Sequence, residues 1–157
     1  MSHESMREQV NRARYSGSNT GFYESFFLRA NHPRRPLAFW IRYTVFEPRD
    51  PARNSLGELW ATWFDGETGR HVSVKDEFPV EACRFERDRF CVNIGPALLE
   101  QGRASGNAGQ AERVEWDLTY AGDQEPLLLL PPKLYETGFP KAKALVGVPM
   151  AVFNGRL

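Results

Sequence analysis

Leu37–Glu47 reads LAFWIRYTVFE, eleven residues without glycine or proline, and its reading decides the fold. Alternation along a strand puts Leu37, Phe39, Ile41, Tyr43 and Val45 on one face. Ala38, Trp40, Arg42, Thr44 and Phe46 fall on the other. A strand wetted on one side alternates apolar with polar residues. Here both faces are mostly apolar, so both are expected to be covered, one by the core and the other by a pocket or a further layer.

The pattern continues outward from this strand. Phe22–Ala30 (FYESFFLRA) is a second, aromatic-rich strand, cut off by NHPRRP, where Pro33 and Pro36 each remove a backbone donor. After the loop EPRDPARNSLG come Glu58–Phe64 (ELWATWF), the hairpin signal DGETG and the partner strand Arg70–Phe78. That partner places His71, Ser73 and Lys75 on one face and Val72 and Val74 on the other, as a half-wet strand does. Cys83–Arg87 and Arg89–Ile94 form a further hairpin with Asp88 at its turn. Gly95–Gly109, which includes GRASG, reads as turn-rich. Arg113–Ala121 alternates cleanly, with Val114, Trp116, Leu118 and Tyr120 on one side. Leu127–Leu130 is a short apolar run before Pro131 and Pro132, and Met150–Leu157 reads as a last strand. At the front, Met6, Val10 and Ala13 lie near helical spacing, which predicts a short amphipathic helix over Glu4–Tyr15, stopped by Gly17 and followed by the linker SGSNTG.

About eight to ten short strands with turn signals between them predict an all-β, antiparallel sandwich or barrel. No βαβ rhythm and no repeat of fixed period is present. The expected organisation is an N-terminal helix and linker over residues 1–21 and a β domain over residues 22–157. Because the last strand runs to the final residues, the chain is expected to be either the front of a larger unit or a domain with a short surface strand at its end.

Composition narrows the function classes. The chain has 157 residues, enough for one domain, with 20 Lys+Arg balanced by 20 Asp+Glu. A polyanion-binding surface needs a basic excess, so no nucleic-acid partner is expected. Hydrophobic residues make up 41% and charged residues 25%, which is globular rather than disordered usage. The N-terminus has no apolar core of a signal peptide. The longest apolar run, Ala144–Phe153, is broken by Gly147 and Pro149 and cannot span a bilayer. A cytoplasmic protein is expected, with Cys83 and Cys91 as two reduced, buried thiols.

Little catalytic chemistry is visible. His3, His32 and His71 form no metal-binding pattern, and no nucleophile elbow or phosphate-binding glycine loop occurs. No metal or cofactor is expected, and a Cys91–His71 pair has only assumption behind it. Glu24 and Glu58, set among aromatics, are the candidate acids, since an apolar surrounding raises a carboxyl pKa. The alternative for each is a surface carboxylate or one paired with Arg29 or Arg42. Trp40, Trp60, Trp63 and Trp116 all lie on predicted strands and either pack the core or line a cavity for an apolar ligand. In the second case Arg42, Thr44 and Thr62 fix the ligand's polar end. The candidate ligand-binding set is Trp40, Arg42, Thr44, Trp60, Thr62, His71 and Trp116.

Six stretches in order carry a resemblance: Tyr23–Arg29 (YESFFLR), Phe39–Thr44 (FWIRYT), Trp116–Leu118 before Pro126–Leu128, Phe139–Lys143 (FPKAK) and Pro149–Gly155 (PMAVFNG). Together, over residues 15–157, they resemble the first half of the tandem lipocalin-like proteins that include hydroxyneurosporene synthase, a carotenoid hydratase, and are related in fold to tocopherol cyclase-like proteins. The resemblance implies a lipocalin-like (calycin) β-barrel, open or closed, and an isoprenoid or other apolar ligand. It also implies a His-Asn-Trp-Gly-type motif, which this chain lacks, so no catalytic residue carries over. The expected function is binding of a hydrophobic small molecule, non-catalytic in this chain alone. The alternatives are part of an isoprenoid hydratase or cyclase, and a structural half that pairs with a second barrel. The expected protein partner is a homo-oligomer or a second lipocalin-like half.

Overall fold

The computed structural model describes residues 3–18 and 20–157, with side chains in the first helix from Arg7 onward. Met6, as a packing residue of the expected helix, and Asn19, in the linker, lie outside the described residues and side chains. The helix α1 covers His3–Asn11 and is shorter than expected. Ala13 does not extend it. The chain straightens after Arg12 and Ala13 is buried, its N–H donating to the Glu86 carbonyl at 3.2 Å. Docking to a neighbouring loop outweighs continuation of a short, polar helix.

Four long strands follow as an antiparallel meander: β1 Phe22–Asn31, β2 Leu37–Glu47, β3 Leu56–Asp65 and β4 Arg70–Pro79, in spatial order β1-β2-β3-β4. The β3–β4 turn works as its sequence suggests. Asp65 Oδ1 accepts from the N–H groups of Glu67 and Thr68, and its Oδ2 from the Thr68 hydroxyl. The second sheet holds β5 Cys83–Phe85, β6 Cys91–Ile94, β7 Ala97–Glu100, β8 Arg103–Ala108 and β9 Val114–Ala121. A short ribbon, β10 Leu127–Leu128 with β11 Leu145–Val146, precedes β12 Val152–Arg156, which closes the second sheet beside β9. The protein is thus all-β and antiparallel, apart from α1 and two short 3₁₀ turns. Among the described residues no strand pairing joins the two sheets, so the barrel is not closed.

The turn-rich reading of Gly95–Gly109 is corrected by β7 and β8. Gly95 and Gly102 do sit at turns, but Arg103–Ala108 is a strand paired on both sides. Its glycine and small residues fit a strand pressed against its neighbours, a context that local propensity does not reveal.

The inner faces of the two sheets meet in one core. From the first sheet come Leu28, Ile41, Tyr43, Leu59, Ala61 and Val74. From the second come Val92, Ile94, Leu99, Ala104, Trp116 and Leu118. At the centre the Trp116 indole N–H donates to the Tyr43 hydroxyl at 3.0 Å, and that hydroxyl donates to the Leu98 carbonyl at 3.0 Å. The space between the sheets is therefore packed at its middle with large side chains.

Candidate functional site

The outward face of the first sheet carries most of the sequence-derived ligand set. Antiparallel register lines up Arg42 with Trp60 and then Lys75, and Trp40 with Thr62 and then Ser73. Period two does the rest: because Ile41, Tyr43, Leu59, Ala61 and Val74 turn inward, Trp40, Arg42, Thr44, Trp60, Thr62 and His71 must turn outward. The Arg42 guanidinium carbon lies 5.5 Å from the Trp40 ring centroid and 4.7 Å from that of Trp60. Lys75 Nζ sits 4.9 Å from the Trp60 ring on its other flank. The Glu58 carboxylate joins this stack, with Lys75 Nζ at 2.9 Å, Arg42 at 3.6 Å and the Trp60 indole N–H donating at 3.3 Å. Thr62 pairs with the Ser73 hydroxyl at 2.8 Å and Thr44 with that of Ser25 at 2.7 Å. His71 stands at the exposed hairpin end, 5.5 Å from the Phe64 ring.

Most of these groups are partnered within the face, though the buried Arg42 Nε has no hydrogen-bond acceptor. Cation meets carboxylate and indole, hydroxyl meets hydroxyl, and the face is covered by its own side chains rather than by a further layer. It is a cross-strand stabilising network, worth a few tenths to about 1 kcal/mol per pair. The structure therefore gathers six of the seven candidate residues, but not around a hollow. Trp116, the seventh, is on the opposite face and belongs to the core, where it is 3% exposed.

A pocket of about 140 Å³ opens at one end of the sandwich, lined by Trp63, Val72, Val114 and Leu157, with Arg113 and Glu115. Trp63 and Val72 are direct partners across the β3–β4 hairpin. Arg113 Nε and Glu115 Oε1 pair at 2.8 Å, so the charges at this site neutralise each other. Trp63 was among the tryptophans flagged by sequence, and Val72 and Val114 were on faces correctly read as apolar. None of the six lining residues belongs to the sequence-derived ligand set, and Leu157, Arg113 and Glu115 had no signal that would have found them.

The two candidate acids behave differently from one another. Burial alone would raise Glu58, but the Lys75 hydrogen bond, the Trp60 N–H and the nearby cationic charges outweigh it and hold the carboxyl below its ordinary value. Glu58 is thus an ion-paired carboxylate, not a proton donor, and its partners include Arg42 rather than Arg29. Glu24 is raised by burial against the opposing bonds from Arg14 and Tyr15. Its Oε2 accepts both the Arg14 N–H at 2.9 Å and the Tyr15 N–H at 3.3 Å. It faces the N-terminal segment and serves as the clasp that holds that segment to β1.

A raised carboxyl gives a signed prediction. Between the ordinary and the raised value the folded chain binds more protons than the unfolded chain, so stability falls as pH rises through that window. Glu24→Gln keeps an acceptor for both N–H groups and removes the ionisation. Urea midpoints measured across mildly acidic pH are expected to fall with rising pH in the wild type, with that component missing from the variant. Equal slopes in both chains would place the proton uptake on another group.

Cys83 and Cys91 are both free thiols, but only Cys91 is buried while Cys83 is half-buried, and desolvation pushes both above their ordinary value, away from the reactive thiolate. Cys91 lies in the second sheet and His71 at the exposed end of the first, so they form no pair. Among the described residues no group of three or more His, Cys, Asp or Glu side chains is placed to hold a metal ion. No helix there is long and apolar enough to cross a membrane. Comparison with protein-family models, curated proteins and solved structures returns no match for this chain.

Proposed function

We propose that this chain is a lipocalin-like, non-catalytic binding module that takes the apolar end of a hydrophobic small molecule into the pocket beside Trp63. The observation that carries this reading is the pocket itself, a solvent-open space framed by Trp63, Val72, Val114 and Leu157 with Arg113 and Glu115. The order of elements supports the lipocalin-like reading: a short helix, then a long antiparallel meander facing a second antiparallel sheet. The pocket sizes the ligand. Sites that enclose a drug-sized molecule run to about 300–1,000 Å³. An enclosed apolar cavity of about 150 Å³ accepts a benzene-sized group. This pocket matches it in volume but is open to solvent and carries the Arg113–Glu115 pair. One ring or one branched five-carbon isoprenoid unit fits 140 Å³, while the remainder of a longer ligand extends past the rim. The carboxylate in the lining, Glu115, is paired with Arg113 at 2.8 Å, which supports binding over hydratase or cyclase chemistry.

The test is a titration with 3-methyl-2-buten-1-ol, followed by methyl NMR. Saturable shifts are expected at the Val72, Val114 and Leu157 methyls. Val72→Phe adds bulk at a half-buried lining position and is expected to weaken binding at least tenfold while the far-ultraviolet circular dichroism stays unchanged. Shifts that do not saturate, or a Val72→Phe chain that binds as well as the wild type, would sink the proposal.

A further inference from the structure

β1 ends the first sheet, and its far side is unpaired. Among the described residues its main chain makes hydrogen bonds to β2 and to no other element. Proteins blunt such edges with lysine, proline, bulges, inward-pointing charges or a covering segment, because a bare edge pairs with another chain. Here Glu24 holds the N-terminal segment beside β1 through its side chain, and among the described residues that segment makes no main-chain hydrogen bond to the strand. β1 has neither lysine nor proline over its ten residues, and its register with β2 runs unbroken from Phe22 to Asn31. It carries instead Tyr23 at 58% and Phe27 at 56% exposure, four residues apart on the outward face.

We infer that two copies of this chain associate through their β1 edges, antiparallel about a two-fold axis at Ser25. That register is self-complementary. It sets Tyr23 of each copy opposite Phe27 of the other, once on each side of the axis, and keeps both outward faces on the same side of one eight-stranded sheet. A slip of two residues breaks both aromatic pairs, facing Tyr23 with Arg29 or with Ser25. A slip of one turns one copy's aromatic face over. Glu24 does not interfere, because it points inward and is engaged by Arg14 and Tyr15. The balanced charge, 20 against 20, leaves no net repulsion between copies.

The area is sufficient for a specific but modest contact. Four half-exposed aromatic rings supply roughly 400 Å², taking about 200 Å² per ring as the full value. Two seven-residue strand edges, Phe22–Leu28 of each copy, bring the total toward the order of 1,000 Å², near the lower limit for a specific interface. Association is therefore expected to depend on concentration, and each copy keeps its pocket beside Trp63 independent of the contact.

Sedimentation equilibrium of the full chain, from micromolar to near-millimolar concentration, tests this. A reversible monomer–dimer equilibrium is expected, with Phe27→Lys and Tyr23→Lys each weakening the dimer at least tenfold. Both side chains are exposed, so both variants are expected to retain the wild-type circular dichroism. Mixing Tyr23→Cys with Phe27→Cys chains under mild oxidation is expected to give a cross-linked heterodimer in excess over either chain alone. A chain that stays monomeric throughout overturns the inference. So does a dimer of unchanged strength in Phe27→Lys, which would put the contact on another surface.

Discussion

Trp116→Ala is expected to lower the free energy of unfolding by about 3–5 kcal/mol, a large part of the roughly 5–15 kcal/mol typical of a domain. The side chain is 3% exposed and packs edge-on to Tyr43, with centroids 6.3 Å apart at 84°. Truncation leaves a cavity ringed by a sheet that cannot collapse onto it without breaking its own hydrogen bonds. It also removes one of the two partners of the Tyr43 hydroxyl, a group buried so completely that its pKa is driven far above the ordinary tyrosine value. Trp116→Phe separates the two losses. It retains most of the ring area and removes only the N–H, and Tyr43 still donates to the Leu98 carbonyl, so about 1–2 kcal/mol is expected. Urea midpoints of the two variants measure both. A tryptophan lining a ligand cavity would behave differently: its loss would weaken binding and leave the midpoint nearly unchanged.

Much of the fold was legible because the sheet is built from long, uninterrupted alternations. Leu37–Glu47 coincides with β2, and the inward set Val114, Trp116, Leu118 and Tyr120 coincides with the buried positions of β9. The site was less legible for a specific reason. β2 is mostly apolar on both faces and β3 carries tryptophan on both, so each alone gives little sign of which face turns inward, and the outward face has the more conspicuous residues. The missing information lay two strands away. β4 alternates cleanly, with Val72 and Val74 inward, and the hairpin at Asp65–Arg70 fixes its register with β3. Carried across, Val74 opposite Ala61 and Val72 opposite Trp63 turn those two β3 residues inward, and Thr62 and Trp60 outward with Ser73 and Lys75. One more step, Ala61 opposite Ile41, orients β2. Register carried from an unambiguous strand to an ambiguous one would have separated Trp63 from Trp40 and Trp60. The filled interior was beyond this reasoning, because whether Tyr43 and Trp116 meet depends on how two separate sheets are stacked.

GRASG misled for a related reason, and its last glycine carries the other large expected effect. Gly102 makes the turn that the motif suggests, but Gly106 lies within β8, opposite Trp116 of β9, with φ at +152°. A Cβ there would stand 2.5 Å from Ala97 Cβ, 2.7 Å from Ala97 Cα and 3.1 Å from Trp116 Cζ2. Ala97 is fully buried and Trp116 nearly so, and a backbone atom is among the obstacles, so no side chain can swing aside. Gly106→Ala therefore combines an unfavourable backbone conformation, about 1–3 kcal/mol, with overpacking of similar size. A loss of about 3–5 kcal/mol in the urea midpoint analysis is expected. Gly69→Ala is the control. That glycine also has positive φ, at +73°, but no atom stands within 4 Å of the added Cβ, so only the conformational cost of about 1–2 kcal/mol remains. If the two variants lose equally, the contact with Ala97 contributes nothing and the sheets have room to part. If Gly106→Ala loses more, adding Ala97→Gly should restore part of the difference, since it deletes the Cβ but leaves the Cα. That partial recovery would locate the strain between β7 and β8, in the segment whose small residues permit the close approach and for the same reason look like a loop.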